Sequence, residues 1–145
     1  MRLTSLADYA VVMMAAAARH PAGARLSATL LAEETGVPLP TTQKLTGRLA
    51  AAGLLATARG TGGGFRLART AAEISLADII EAVEGPIVMT SCIDTERHDC
   101  ALESCCQVRP HMNVVNGVVR GALAGLSLSS LSVLKEPGLA EGVEV

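Results

Sequence analysis

Aromatic side chains are almost missing from this sequence: 145 residues contain one Phe, one Tyr and no Trp. Any core must be built from Ala, Leu, Val and Met, which in so short a chain bury modest area per residue and favour association with a second copy. Long apolar runs are missing too. The most apolar stretch, Tyr9 to Ala18, falls well short of the roughly 20 residues that cross a bilayer. A charged n-region followed by an apolar h-region and a cleavage site is not found. The expectation is a soluble, cytoplasmic protein with no membrane partner. Equally absent are a nucleophile–base pair, a nucleotide-binding loop and a pair of acids placed for acid–base work. The chain is therefore not expected to be an enzyme or to take a small-molecule substrate.

What is present is divided by charge. The net charge of −2 conceals eight Lys/Arg against three Asp/Glu in residues 1–70, and four against eleven in residues 71–145. The first half suits a polyanion and the second does not.

Taken in order, Leu3, Leu6, Tyr9, Ala10, Met13, Met14 and Ala17 recur at helical spacing behind Thr4 or Ser5 as N-cap. That helix must end by His20-Pro21. Ser27 caps a short helix, Ala28 to Glu34, which stops at Thr35-Gly36. A further helix, Thr41 to Ala52, carries Leu45, Leu49 and Ala52 as its buried stripe and ends at Gly53. A short helix, a glycine turn and a second helix make a helix-turn-helix pattern. In such an arrangement Thr41, Thr42, Gln43 and Lys44 meet base edges in the major groove.

Leu54 to Ala58 and Phe65 to Ala68 then alternate as strands. Between them, Arg59-Gly60-Thr61-Gly62-Gly63-Gly64 forms a hairpin turn whose backbone can approach another molecule closely. Glycine-rich phosphate loops run from strand into helix; this one runs from strand into strand. As a wing, it would put Arg59 in a minor groove, with the backbone of Gly60, Gly62 and Gly63 and the side chains of Arg66 or Arg69 near phosphates.

Ser75 opens a helix from Leu76 to Glu84 that ends at Gly85-Pro86, and Ile87, Val88 and Met89 read as a short buried segment. From Val108 to Leu126, the residues Val108, Met112, Val115, Val119, Ala122, Leu123 and Leu126 recur at helical spacing. Gly117, Gly121 and Gly125 would each cost about 1 kcal/mol in an exposed helix, so this helix is expected to cross its partner from a second copy. Ser127 to Leu131 gives one last turn.

All four cysteines fall within residues 92–106, in a segment rich in Asp94, Glu96, Arg97, His98, Asp99 and Glu103. Thiols gathered in a polar loop are not core filling. A disulfide framework belongs to small secreted chains. Seven residues separate Cys92 from Cys100 and five separate Cys100 from Cys106, so the close ligand pairs of structural zinc sites are not reproduced. An open loop suits a larger object such as an iron–sulfur cluster. Spacing alone leaves cluster and zinc both standing.

Gly53-Leu54 and Arg59-Gly60-x-Gly62-Gly63-Gly64-Phe65-x-Leu67, with the opening Met1-Arg2-Leu3-Thr4 and Asp8-Tyr9-Ala10, resemble the bacterial Rrf-two family of winged-helix regulators. The resemblance extends over residues 1–134. It implies a mainly α protein with a small β-hairpin, a homodimer, and double-stranded operator DNA as partner. Members of the family that sense clusters, nitric oxide or iron hold an iron–sulfur cluster on three loop cysteines, and Cys92, Cys100 and Cys106 match those places. A cluster of two irons is carried forward ahead of one of four. Cys105 falls outside the pattern as a bystander. In some members a histidine that follows the third cysteine after two intervening residues is the fourth ligand, yet Arg109 stands there. In others an acid of the first helix, reaching over from the other subunit, supplies an oxygen, and Asp8 occupies that place. Asp8 is preferred over His111, with an external thiol or water also open, and His98 is read as solvated. The cysteine spacing and Val108-Arg109-Pro110-His111 most resemble regulators of sulfur-mobilisation cluster-assembly genes.

The resulting division is a winged helix-turn-helix DNA-binding domain (1–70), a connecting helix (71–91), a cysteine loop (92–106), a dimerisation region (107–134) and a flexible tail (135–145). The expected activity is cluster-sensing transcription regulation, as a redox-sensing repressor. A zinc-bound or thiol-redox DNA-binding switch without iron is the alternative.

Overall fold

The computed structural model describes residues 1–59, 62–97 and 99–134. Gly60, His98 and the tail from residue 135, which figure in the expectations above, lie outside the described residues. Six helices and one hairpin follow in order: α1 (Ser5–Ala18), α2 (Ala28–Thr35), α3 (Leu39–Ala51), β1 (Leu55–Ala58), β2 (Gly64–Leu67), α4 (Leu76–Glu84), α5 (Arg109–Ala124) and α6 (Leu128–Leu131). The mainly helical architecture with a small hairpin is the one read from the sequence.

α1 starts where Thr4 offers its hydroxyl to the Ala7 N–H at 3.2 Å, and it is the central pillar. Ala7, Ala10 and every residue from Met13 to Ala17 are buried, because α2, α3, α4, α6 and β2 all touch this one helix. Small alanines let these neighbours approach closely on several sides. Leu3 and Tyr9, counted above in the apolar stripe, instead lie at the surface.

Ser27 caps α2 through the Leu30 N–H, and Gly36, at φ 79°, turns the chain out of it. α3 begins earlier than expected because Pro38 and Pro40 suit the ends of helices, where N–H groups have no intrahelical partner. Leu45 and Leu49 are fully buried, whereas Ala52 is exposed because the helix has already ended there. The hairpin pairs Leu55 with Leu67 and Thr57 with Phe65 in antiparallel register, which sends Leu55 and Phe65 to the core.

α4 opens with a capping box. Ser75 accepts from the Asp78 N–H at 3.1 Å and the Asp78 carboxylate accepts from the Ser75 N–H at 2.9 Å. Its Ile79 and Val83 join Met13, Met14, Leu31, Leu45, Leu49 and Phe65 in a single cluster that also contains Leu128 of α6. The core thus runs straight across residue 70. Backbone hydrogen bonds from Leu76 to Leu126, from Leu128 to Ile74 and from Ser129 to Ala71 hold the end of the chain against the start of α4. Ile87, Val88 and Met89, expected to be buried, are only half-buried and form neither strand nor helix.

If Leu128 is a true core member, Leu128→Ala should destabilise the fold by about 2–5 kcal/mol, although it sits in a single helical turn. Leu134→Ala, at an exposed site, should change stability by less than about 0.5 kcal/mol. Urea unfolding of the two variants measures the contrast.

Candidate functional site

Two surfaces were singled out from the sequence, the α3 and wing surface and the cysteine loop. On α3, helical geometry sorts the four expected contact residues. Gln43 and Lys44 are exposed and Thr41 is half-buried. Thr42 is turned inward and wholly buried. Its hydroxyl donates to the carbonyl of Pro38 at 3.1 Å and lies 3.4 Å from that of Val37. Thr42 therefore fastens the helix start and leaves the outward-facing set, since a position one step from Gln43 lies about 100° round the helix. Gly47 and Arg48 continue the exposed face. The α3 N-terminus carries no side-chain cap, so the positive end of its dipole faces outward beside Lys44.

In the wing, Arg59, Gly62, Gly63, Arg66 and Arg69 are all exposed. With Lys44 and Arg25, also exposed, they make a basic surface on the α3 and hairpin side of the fold. Arg25 is a residue that sequence reasoning passed over. It stands between two helices with no periodic pattern to mark it.

In the loop, four free thiols occupy different environments: Cys92 is buried, Cys100 and Cys106 are half-buried, and Cys105 is exposed. The Cys92 sulfur lies 3.2 Å from the Thr90 hydroxyl. Among the described residues, no three His, Cys, Asp or Glu side chains converge in a metal-binding arrangement. Cys92, Cys100 and Cys106 are thus not drawn together in this form. Their donor chemistry nonetheless fits a thiophilic metal, since Cys92 sits in a turn and Cys100 and Cys106 in irregular segments that no helix or strand constrains. Asp8 is exposed in a shallow depression lined by Arg2, Leu3, Thr4 and Ser5 and by none of the cysteines. Within one chain it is not brought to the loop. His111 is exposed in the first turn of α5.

Arg109, which stands where some relatives have a histidine, connects the ends of the loop. Its Nε donates to the Cys92 carbonyl at 3.1 Å, and its guanidinium lies 3.2 Å from the Glu103 carboxylate. A chain of polar ties then leads away from it. Asn116 of α5 accepts from the Met89 N–H at 2.9 Å. Arg120 of α5 clasps both oxygens of Glu81 on α4, at 2.8 and 3.0 Å. At the far end of α4 the Val83 carbonyl accepts from Arg48 of α3 at 2.9 Å. Helical spacing from Lys44 could have signalled Arg48, but its partner is a backbone carbonyl that no sequence pattern marks.

α5 packs against α4; Met112, Asn116, Val119 and Leu123 form its half-buried side, and it has no fully buried residue. Its outer side exposes Val114, Val115 and Val118. A side chain added at Gly117 or Gly121 would touch nothing within 4 Å. Val115, which shares its apolar stripe with Met112 and Val119 in the sequence, is on this open side.

The profile of the Rrf2 family, described as "Iron-dependent Transcriptional regulator", matches residues 3–133. The HTH-type transcriptional regulator IscR of Photobacterium profundum is 32% identical over 131 residues, covering 90% of this chain and 75% of that protein. IscR of Photorhabdus laumondii is likewise 32% identical, covering 90% and 79%. Among solved structures, CymR, the global cysteine regulator of B. subtilis, superposes with a TM-score of 0.70 at 20% identity, covering 94% of this chain and 99% of that one. The oxidized form of Staphylococcus aureus CymR gives 0.67 at 26% identity, with coverage of 94% and 99%.

The Arg120 hydrogen bonds hold the Glu81 carboxyl below its ordinary range, against the opposing effect of partial burial and with help from the Ile87 N–H. Because the folded-state value is depressed, the contribution of this tie is complete above the ordinary glutamate range and is lost on acidification through the lowered value. Melting curves between about pH 3 and pH 7 should therefore show a decline on acidification that Arg120→Ala reduces.

Proposed function

Since the chain belongs to the Rrf2 family of iron-dependent transcriptional regulators, we propose that it binds operator DNA as a homodimer and that an iron–sulfur cluster on the cysteine loop sets its affinity. The observation that carries this reading is the run of ties from Cys92 through Arg109, α5 and α4 to Arg48 on α3. A change in the loop has a connected route to the helix that faces DNA. Lys44, Gln43 and Thr41 supply the major-groove contacts and Arg59 the minor-groove contact, with the backbone of Gly60, Gly62 and Gly63 alongside. Regulation of cluster-assembly genes, which the cysteine spacing and the Val108-Arg109-Pro110-His111 run favour, is the specific form proposed for this protein.

Cys92, Cys100 and Cys106 would hold the group, with Asp8 of the second subunit as the fourth ligand. Bound there, a cluster supplies redox lability at the corner held by oxygen, because carboxylate is a poorer ligand for such iron than thiolate. The chain's own residues do the rest. Holding the group would fix the relative positions of Cys92, Cys100 and Cys106, Arg109 would link that change to α5, and the α5–α4 pair would pass it on as a shift between two dimer geometries.

The second copy is argued from α5. An amphipathic helix that leaves three valines and two unhindered glycines on its outer side presents an apolar patch of the kind two-fold partners cover. Glycines there let two backbones approach. Val118→Glu, at an exposed site, should leave the monomer fold intact and convert dimer to monomer in sedimentation, whereas an unchanged dimer would place the interface elsewhere.

A second reading has its own observation. The likeness to CymR, solved in an oxidized form, together with four free thiols, supports a thiol-redox switch without iron. Anaerobic purification separates the two. A coloured protein with iron and sulfide, lost in Cys92→Ala and Cys106→Ala, retained in Cys105→Ala and more labile in Asp8→Ala, supports the cluster. A colourless, iron-free protein whose DNA affinity changes on oxidation supports the second. For DNA, log affinity should fall linearly with log salt; Arg66→Ala, at a phosphate contact, should reduce that slope by about 1, whereas Lys44→Ala, at a base-edge contact, should relax sequence preference.

A further inference from the structure

The hairpin is not held by its two strands alone. The Leu26 N–H donates to the Phe65 carbonyl at 2.7 Å and the Phe65 N–H donates to the Leu26 carbonyl at 2.9 Å. The segment entering α2 thus pairs with β2 as an isolated antiparallel bridge. One residue earlier, the Arg25 guanidinium donates to the Gly62 carbonyl in the hairpin turn. At this point φ is +76°, a conformation that residues with a side chain rarely adopt. Gly64 makes the close approach possible, because a Cβ there would lie 2.3 Å from the Leu26 carbonyl oxygen and 3.2 Å from Arg25 Cγ.

Two strands of four residues joined by a glycine-rich turn are marginal by themselves, and glycines give up the most backbone freedom on ordering. A charge-assisted bond from outside the hairpin, next to a bridge on the same side, offsets that cost before DNA arrives.

We propose that Arg25 is a positioning residue for DNA binding: its hydrogen bond to Gly62 holds the chain entering β2, whose Gly64 pairs with Ala58, so that Arg59 beside Ala58 is presented already ordered. The functional half of this inference rests on the DNA-binding reading above, and the structural half on wing geometry alone.

The test compares wild type, Arg25→Ala, Arg25→Lys and Gly64→Ala in two measurements. The first is amide hydrogen exchange at Leu26 and Phe65. The second is affinity for a duplex that the wild type selects from a random-sequence pool. Arg25→Ala should speed exchange at both amides and weaken binding by about tenfold, the factor that corresponds to one charge-assisted hydrogen bond. Arg25→Lys, which keeps a donor, should recover part of both. Gly64→Ala should reproduce both losses with no change of charge. The salt slope should stay at its wild-type value in Arg25→Ala, and the affinity loss should vanish in an Arg59→Ala background, since the brace acts through that arginine. Unchanged exchange in Arg25→Ala overturns the brace. So does a salt slope reduced by about 1 with exchange intact, which would make Arg25 a direct phosphate contact. If the wild type selects no duplex, the DNA reading fails, and the exchange measurement still decides whether Arg25 orders the turn.

Discussion

Two arginines gripping α4 from opposite sides hold the rest of the arrangement in register. Arg48 reaches it from α3 through the Val83 carbonyl, and Arg120 from α5 through Glu81. Neither contact is a large source of stability, because exposed ion pairs contribute little once side-chain entropy and screening are counted. Their importance is geometric. A bidentate guanidinium–carboxylate pair fixes orientation as well as distance, and Arg48 ends on a backbone carbonyl, so it senses where α4 lies. Stability comes from beneath, where Ile79 and Val83 are packed into the cluster around Met13, Met14, Leu45 and Leu49. A well-packed interior shifts as a unit more readily than it deforms. Motion imposed on α4 from the α5 side is thereby delivered to α3.

The cysteine loop contrasts with that rigid centre. Residues 92–106 have turns and bends but no strand or α-helix among the described residues, and the loop's attachment to the body runs through Arg109. An arginine in the first turn of a helix is placed against the helix dipole, so its position there is explained by its partners, the Cys92 carbonyl and Glu103, and not by helix preference. A loop gathered at its ends and outside the packed core can admit a sizeable ligand without disturbing that core. On the proposed function this is the economy of the design: the thiols move, Arg109 reports, and α4 and α5 respond as a pair.

The α3 and hairpin side is organised differently, by preordering. Thr42 uses its buried hydroxyl to fix the start of α3, and the segment before α2 pairs with β2 to steady the hairpin. Both devices spend polar groups inside the protein so that Lys44 and Arg59 remain exposed without being loosely held.

Much of this was legible without coordinates. Ser27, Ser75, Gly36 and Gly85 mark helix ends by local hydrogen bonding and backbone sterics, the hairpin follows from alternation around a glycine-rich turn, and the cysteine spacing is a property of the chain itself. The inward turn of Thr42, the exposure of Ala52 and Val115, and the half-burial of residues 87–89 were not legible. Each depends on which neighbour covers which face, and helical periodicity names a stripe without naming what lies against it. The sequence by itself therefore determined the elements, their ends and the chemical kind of the loop, because these arise from contacts a few residues apart. Only the tertiary structure decided that Arg48, Arg109 and Arg120 join the loop to α3 and that Arg25 reaches Gly62 in the hairpin. Those partners lie 17 to 39 residues away along the chain, and an arginine's spacing says nothing about which distant carbonyl or carboxylate the fold will bring to it.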